Sequence, residues 1–253
     1  MEKRDLLLVA KGRFIKMLST QSDVCSPVDL RDELVISRPL SVSEAIGDTG
    51  RDDFPLIRGK EVLMQASYRG AFGQAFTAAK GVFRGSLGEV LEMPLQGPFE
   101  RAVLIAAMNA TLRYLGKIEG TVHCRDDGPK RCKASMAEWV AEQGASRVGL
   151  VGLQPALLEA LVQTLGPERV MVSDLAEAGA VRCNVKVLDG MQAGQMFESC
   201  PLILMTGSTF ANGTIDDLMG AACSHNCRTV FFGCTASGVA YLLGLERWCP
   251  CSS

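Results

Sequence analysis

In the second half of the chain, short apolar runs alternate with amphipathic segments, and polar or glycine-containing loops separate them. Such runs are typical of strands buried on both faces, and the amphipathic segments are typical of helices. Their regular alternation predicts a parallel sheet with helices on both faces. We therefore interpret residues 120–253 as an α/β, Rossmann-like domain. The predicted strands span 148–153, 170–173, 185–188, 202–205 and 229–232, and the predicted helices span 134–142, 155–165, 191–198, a segment that begins at 214, and 237–243.

The first part of the chain lacks this alternation. Residues 3–19 place apolar side chains at helical spacing, which predicts an amphipathic helix. Two apolar segments, 61–67 and 71–77, flank Arg69-Gly70 and predict a β-hairpin.

The remainder of this part is broken by proline and glycine. Residues 21–55 are polar, with one predicted strand at 34–36, and residues 81–88 are predicted as a loop with a short helix. Residues 1–96 are thus predicted to form a smaller α+β domain.

A long apolar segment, residues 97–119, connects the two domains. Pro98 in the first turn, followed by Glu100, is typical of a helix start, and Gly116 marks the predicted end. The body of the helix is apolar on nearly all sides, so it is predicted to be buried. Asn109 is the polar exception: it is either a hydrogen-bonded core amide or a group that reaches a site between the domains.

Polar and small residues follow the predicted strands. In a parallel sheet, ligands bind at the carboxyl ends of the strands, so these residues are predicted to face one crevice. The loop after the strand at 202–205 offers hydroxyls and backbone N–H groups for an anion, and Thr214 with Asp217 has the pattern of a capping box. The candidate ligand-binding residues are Gly152, Gln154, Asp174, Thr206, Gly207, Ser208, Thr209 and Thr235.

The loop after the first strand does not fit a standard dinucleotide site. The G-x-G-x-x-G motif is absent, since only Gly149 and Gly152 are present and Pro155 opens the helix. Asp174 lies about where an acid would meet a ribose hydroxyl. Its alternative role is a cap for the segment that follows it.

Composition and charge limit the classes of molecule that the protein is expected to bind. A net charge of −2 argues against nucleic acid and anionic membranes. The apolar run 6–10 is too short for a signal peptide or a membrane span, which predicts a cytoplasmic protein. In that compartment the ten cysteines are expected to be reduced thiols.

Three residues form a candidate metal-ligating group: His123, Cys124 and Cys132. Imidazole and thiolate ligands select zinc, copper(I) and other thiophilic metals, although this spacing is no standard zinc-finger pattern. Cys132 is predicted at a helix N-terminus, where the dipole lowers the pKa of a thiol, and close to the crevice.

A second group, Cys223, His225 and Cys227, precedes the strand at 229–232 and is predicted at the opposite end of the sheet. Cys249 and Cys251 follow a helix that runs the same way, so they are placed at that end too. Loop cysteines without a function are favoured there over a metal site. No G-x-S-x-G motif is present, and no catalytic residue is assigned.

With those residues considered, the chain resembles the putative heavy-metal chelation family of bacterial and archaeal proteins. The resemblance extends from about Glu61 to Cys249, and the T-G-S-T-x-x-N-G-T run is its most specific part. It rests on F-E-R-A-V-L-I-A-A-M-N-A (99–110), T-V-H-C-R-D-D (121–127) with Cys132, V-G-L-V-G-L-Q-P-A (148–156), V-S-D-L (172–175) and T-G-S-T-F-A-N-G-T-I-D (206–216).

The resemblance implies an amino-terminal domain similar to the small capping domain of enolase, followed by a Rossmann-like domain, with a site between them. It implies that His123, Cys124, Cys132 and Asp174 belong to this site, with Asn109 behind them. It adds Asn212, Gly213 and Thr214 to the hydroxyl-rich loop.

Our leading hypothesis is a protein that binds a thiophilic metal, or a small anionic ligand that carries one, between the domains. The alternative is an enzyme that acts on a phosphorylated or nucleotide-like small molecule in the same crevice. A regulatory or scaffold protein would bind neither. A homo-oligomer is compatible with all three hypotheses.

Overall fold

In the computed structural model, which describes residues 5–20, 27–48 and 55–253, two β-sheets lie on either side of a long buried helix. The strands are β1 (Glu33–Ile36), β2 (Val62–Tyr68), β3 (Ala71–Thr77), β4 (Phe83–Ser86), β5 (Val148–Val151), β6 (Val170–Asp174), β7 (Val181–Arg182), β8 (Val185–Asp189), β9 (Leu202–Thr206) and β10 (Arg228–Phe232). The helices are α1 (Leu6–Ser19), α2 (Val42–Ile46), α3 (Pro55–Arg58), α4 (Leu87–Glu92), α5 (Pro98–Tyr114), α6 (Gly128–Gln143), α7 (Pro155–Leu165), α8 (Gly194–Ser199), α9 (Ser208–Asn212), α10 (Ile215–Ser224) and α11 (Ser237–Leu243).

The first sheet is antiparallel, with the strand order β3-β2-β1-β4. The predicted hairpin is confirmed: Arg69 and Gly70 both have positive φ (46° and 83°), as a tight turn of two residues requires. Strand β4 was not predicted. It pairs with β1, about fifty positions earlier in the sequence, and Gly85 interrupts its apolar pattern.

The second sheet has the order β10-β9-β5-β6-β8-β7, and only the short edge strand β7, which the sequence did not predict, is antiparallel. The predicted parallel sheet between helices is confirmed. Strand order reverses between β5 and β9, so the carboxyl ends of these two strands flank the topological switch point, where doubly wound sheets bind ligands.

Alternate residues of β9 point to different sides of this sheet. Leu202 and Leu204 pack in a cluster with α6 and α7, whereas Ile203 and Met205 pack in a cluster with α5, α8, α9 and α10. Because both faces are buried, the strand is apolar throughout rather than alternating.

Helix α5 is buried along most of its length, as its apolar pattern predicted. It packs against β2 and β3 on one side and against α9 and α11 on the other, within one continuous apolar cluster. Gly73 of β3 permits this contact, because a Cβ there would lie 2.2 Å from the backbone N of Ala110 and 2.4 Å from the backbone O of Ala106.

A buried ion pair fixes α1 against α5. Arg101 of α5 donates to both carboxylate oxygens of Asp5, at 2.8 and 3.3 Å, and its Nε donates to the carbonyl of Phe210 at 2.8 Å. Asp5 is also the N-cap of α1, so one carboxylate begins the helix and holds it in place. None of the helices in the described ranges is long and apolar enough to cross a membrane.

Two local predictions are corrected. Helix α6 begins at Gly128 rather than 134, because Pro129 in its first turn is compatible with a helix start. Thr214 is the N-cap residue of α10, but the capping box is wrong: its side chain makes no capping hydrogen bond, and its hydroxyl donates instead to Asn212 Oδ1 at 2.8 Å.

Candidate functional site

The switch point brings the ends of β5 and β9 into contact. Gly152, with φ +87°, leaves so little space that a Cβ would lie 2.4 Å from Thr206 Cγ2. Its N–H donates to the carbonyl of Ser173 in β6 at 2.8 Å. Gly152 and Thr206 therefore lie in close contact where β5 and β9 end.

The segment after β9 is less open than predicted. Instead of a loop of exposed N–H groups, it forms the short helix α9, in which Ser208 and Thr209 are buried. Gly207 N–H donates to the carbonyl of Phe232, and the Thr209 hydroxyl donates to the carbonyl of Thr206. The hydroxyls of Thr206 and Ser208 lie 3.3 Å apart at the switch point.

Asn212, Gly213 and Thr214 connect α9 to α10. Gly213 has a left-handed backbone (φ +79°) that ends α9, and Asn212 Oδ1 accepts hydrogen bonds from both N–H and hydroxyl of Thr214. This geometry accounts for the N-G-T triplet as a helix-to-helix turn.

Asp174 and Gln154 serve as local caps. Asp174 accepts hydrogen bonds from the backbone N–H groups of Leu153, Ala176 and Glu177, at 2.8 to 3.2 Å. Gln154 is the N-cap of α7 and accepts from Leu157 N–H at 2.6 Å. These bonds match the capping role that the sequence offered as one of two for Asp174.

Glu61 is a site residue that sequence reasoning missed. It comes directly before β2, in the other sheet, and its carboxyl lies close enough to Asp174 for the two charges to interact. Burial, and secondarily the Asp174 charge, raises the pKa of Glu61 to about 7. Lys60 and Lys80 lie near it in a cavity of about 430 Å³. The pair crosses between the two sheets, so no local pattern could have revealed it.

Replacing Glu61 with glutamine is expected to stabilise the protein at pH 8. The pKa of Glu61 rises from 4.5 to about 7 on folding. The stability that the protonated carboxyl contributes is therefore fully present below pH 4.5 and is lost as the pH rises through 7. The free energy of unfolding of Glu61→Gln should therefore exceed that of wild type by about 1 to 3 kcal/mol at pH 8. The increase should be smaller at pH 5.

Urea unfolding at the two pH values measures this difference. Glu92→Gln, at an exposed position at the end of α4, is the control and should leave the profile unchanged. An equal increase in the free energy of unfolding of Glu61→Gln at both pH values would contradict the raised pKa of Glu61.

Thr235 and Asn109 connect the two sheets behind this edge. The Thr235 hydroxyl accepts from Phe76 N–H of β3 at 3.0 Å. Asn109 is fully buried; its amide donates to the carbonyls of Gln74 and Cys234, and its Oδ1 accepts from Gly238 N–H. Of its two predicted roles, this arrangement matches the hydrogen-bonded core amide.

His123 is held in one tautomer. Its Nδ1 lies 2.6 Å from the carbonyl oxygen of Cys124, which can only accept, so the proton is on Nδ1 and the lone pair is on Nε2. Burial lowers the pKa of His123 to about 4, which keeps the ring neutral at physiological pH. The ring also packs edge-on against Phe76, at 5.2 Å between centroids.

Cys124 lies four residues before the start of α6, and Cys132 lies in the second turn of that helix. Cys124 packs on Gly128, where a Cβ would lie 3.4 Å from its Sγ, and Cys132 is four residues further along the same face. The predicted lowering of the Cys132 pKa is wrong. The residue lies beyond the first turn, and burial together with neighbouring thiols raises its pKa. Burial likewise raises the pKa of Cys124, to about 12.

The predicted position of Cys249 and Cys251 is also wrong. After α11 the chain turns back and runs parallel to β10, with Arg247 bridged to Phe231. It therefore returns to the carboxyl ends of the strands, and the thiols of Cys249 and Cys251 contribute to the raised pKa of Cys132. By contrast, Cys223 and His225 end α10 and Cys227 precedes β10, at the opposite end as predicted.

The donor set at this edge suits soft metals, since it combines a neutral imidazole with thiols. Among the residues that the structure describes, no three His, Cys, Asp or Glu side chains form a group that could hold a metal ion. The donors would therefore have to move together on binding.

Comparisons with known proteins give one match to a family model and two solved structures of similar fold. The sequence profile described as putative heavy-metal chelation (DUF364) matches residues 136–245. No curated protein matches the chain significantly. The candidate metal donors lie outside the matched segment, so the match does not bear on them.

Two solved structures share the fold. A DUF364 protein of unknown function from Pyrococcus horikoshii is 15% identical with a TM-score of 0.54, covering 91% of this chain and 79% of its own. Another from Desulfitobacterium hafniense DCB-2 is 10% identical with a TM-score of 0.50, covering 94% and 84%. Residues 136–245 of this chain thus resemble the putative heavy-metal chelation family, DUF364, and the likeness to the two solved structures shows a shared fold.

Proposed function

We propose that this protein binds a thiophilic metal ion, or a small anionic ligand that carries one, at the edge where the two sheets meet. His123, Cys124 and Cys132 supply the metal ligands. The hydroxyls of Thr206 and Ser208 bind the anionic part of the ligand. The family description, heavy-metal chelation, supports the same class of ligand.

The imidazole of His123 carries this proposal. Histidines that ligate metals usually donate their second ring N–H to a carbonyl or carboxylate, which fixes the ring and its tautomer. His123 already makes this bond to the Cys124 carbonyl, so Nε2 holds a lone pair at neutral pH. The thiols of Cys124, the next residue, and of Cys132, in the second turn of α6, supply softer donors.

Thr235 links these donors to the switch point. It follows β10 beside Gly207, and its hydroxyl accepts the N–H of Phe76. The ring of Phe76 contacts the ring of His123. A ligand with a metal at one end and an anionic group at the other would extend along this edge.

Zinc titration of reduced protein, purified without a metal-affinity tag, tests the proposal. Competition with a chromophoric chelator should give one zinc ion per chain. His123→Asn should weaken binding by roughly tenfold or more, since even an outer partner of a metal ligand contributes that much. The chain's other histidine, the exposed His225, is the matched control, and His225→Asn should bind as wild type.

Absence of stoichiometric zinc binding, or equal affinity in His123→Asn and wild type, would overturn the proposal. Thermal-shift measurements with nucleotides and sugar phosphates test the enzyme alternative. Stabilisation by such a compound that persists in a Cys124→Ser/Cys132→Ser variant would favour the enzyme.

A further inference from the structure

We infer that the carboxyl ends of β6 and β8 form a binding site for a nucleoside, with the ribose on Asp174 and the base against Leu175 and Met191. The inference goes beyond the proposed metal site and does not depend on it, and it gives the enzyme alternative a specific ligand-binding surface. Three features support it: two acids in register, two exposed apolar side chains beside them, and the position of both next to the switch point.

Two carboxylates end neighbouring strands side by side. Asp174 is the last residue of β6 and Asp189 is the last residue of β8, and the two are partners in the parallel register. The loops that follow are bonded to each other, because Gly190 N–H donates to the carbonyl of Asp174 at 3.1 Å. Ionised carboxylates only accept hydrogen bonds, so a ligand here must offer hydroxyl or N–H donors. In doubly wound sheets an acid near this position commonly binds a ribose hydroxyl.

Asp174 retains the capacity to accept such a hydroxyl. Its Oδ1 accepts from the N–H groups of Ala176 and Glu177, at 2.8 and 3.2 Å. Its Oδ2 accepts only from Leu153 N–H, at 2.8 Å, among the residues that the structure describes. A carboxylate has about four acceptor sites, so Oδ2 has one left. The three backbone groups thus hold the carboxylate in place, and the residue is partly exposed to solvent.

Two large apolar side chains are exposed beside these acids: Leu175 is 51% exposed and Met191 is 69% exposed. Both flank Gly190, because a Cβ on this glycine would lie 3.0 Å from Leu175 Cδ2 and Met191 is the next residue. A planar base that covers both side chains removes apolar surface from water, and the polarisable thioether of methionine makes favourable contacts with aromatic rings. Asp189 lies at the same loop as an acceptor for an amino group of the base.

The spacing of the strands matches the size of a nucleoside. Strands β5, β6 and β8 are adjacent in the sheet, and each step is about 4.8 Å, so the ends of β5 and β8 lie about 10 Å apart. A ribose on Asp174 with its base at β8 therefore directs its 5′ carbon toward the switch point, where the hydroxyls of Thr206 and Ser208 lie. The loop after β5 lacks the glycine-rich motif that holds a pyrophosphate, which favours a nucleoside over a dinucleotide.

Titration calorimetry of the full chain with adenosine, in the presence of a chelator that removes metal ions, tests the inference. Adenosine should bind at one site per chain. 2′,3′-Dideoxyadenosine should bind roughly tenfold or more weakly, because it lacks the hydroxyls that donate to a charged acceptor. Asp174→Asn retains an oxygen that can cap the loop but loses the charge. In this variant the difference in affinity between the two compounds should shrink to about threefold.

Leu175→Ser/Met191→Ser tests the contacts to the base. Loss of both apolar side chains should weaken adenosine binding roughly tenfold. Leu8→Ser is the matched control, because Leu8 on α1 is also 51% exposed, and this variant should bind adenosine as wild type.

Four results would each contradict the inference. They are no saturable binding of adenosine at millimolar concentration, equal affinity of wild type for the two compounds, an unchanged affinity ratio in Asp174→Asn, and wild-type affinity in Leu175→Ser/Met191→Ser. The chelator keeps this test independent of the proposed metal site. Zinc binding without adenosine binding would leave the proposed function intact and show that only this inference is wrong.

Discussion

Gly73→Ala is expected to destabilise the protein by about 3 kcal/mol, the upper end of the usual cost of overpacking a core. The new Cβ would lie 2.2 Å from the backbone N of Ala110 and 2.4 Å from the backbone O of Ala106. Both atoms belong to the regular helix α5, so neither can move without displacing the helix from the sheet. Urea unfolding, or the soluble yield where the variant is too unstable, measures the effect.

Gly12→Ala is the matched control and should change stability in the opposite direction. Gly12 lies on the exposed side of α1, and a methyl group added there would have no atom of a neighbouring residue within 4 Å in the described part of the chain. Alanine there should stabilise the helix by about 0.5 to 1 kcal/mol. A loss of less than about 1 kcal/mol of folding free energy in Gly73→Ala would contradict the close approach of β3 and α5.

Asn109→Ala is expected to cost about 3 kcal/mol of folding free energy. Its amide satisfies the carbonyls of Gln74 and Cys234 and the N–H of Gly238, all of which are buried with it. Truncation leaves these three backbone groups without that partner and adds a cavity in the core. Chemical denaturation, read by circular dichroism, would show a lower midpoint.

Thr111→Val, two residues later on the same helix, is its control. The buried Thr111 hydroxyl has no hydrogen-bond partner among the described residues. Replacing it with a methyl group of similar size should be neutral or stabilise by up to about 1 kcal/mol. Equal losses in the two variants would show that burial alone, rather than the hydrogen bonds of Asn109, determines the cost.

Much of the parallel sheet could be predicted because the residues of its strands are apolar without interruption. A strand such as β9 is buried on both faces, so its run of apolar residues is visible without knowledge of its neighbours. Helix α7 has Pro155 at its start and Gly166 at its end, which define both limits. Strand β4, in contrast, depends on a distant partner, and its own residues give little indication of it.

The candidate site could be predicted only in part, for the same reason. The carboxyl ends of the parallel strands follow from the alternation of strands and helices, and His123 with Cys124 is visible in the sequence as a pair of adjacent donors. The return of the chain along β10 depends on backbone pairing between Arg247 and Phe231, which no residue type specifies. Cys249 and Cys251 were therefore assigned to the wrong end of the sheet. Glu61 needed the contact between two sheets before it could be recognised.

The shared core around α5 has a consequence for how a ligand enters. Proteins that close by hinge bending need two bodies that separate without exposing apolar surface, but here one apolar cluster runs from sheet to sheet through the helix. Separation of the two sheets would expose that cluster to water. Access to the site should therefore depend on local movement of side chains, and the two sheets should unfold together in a single cooperative transition.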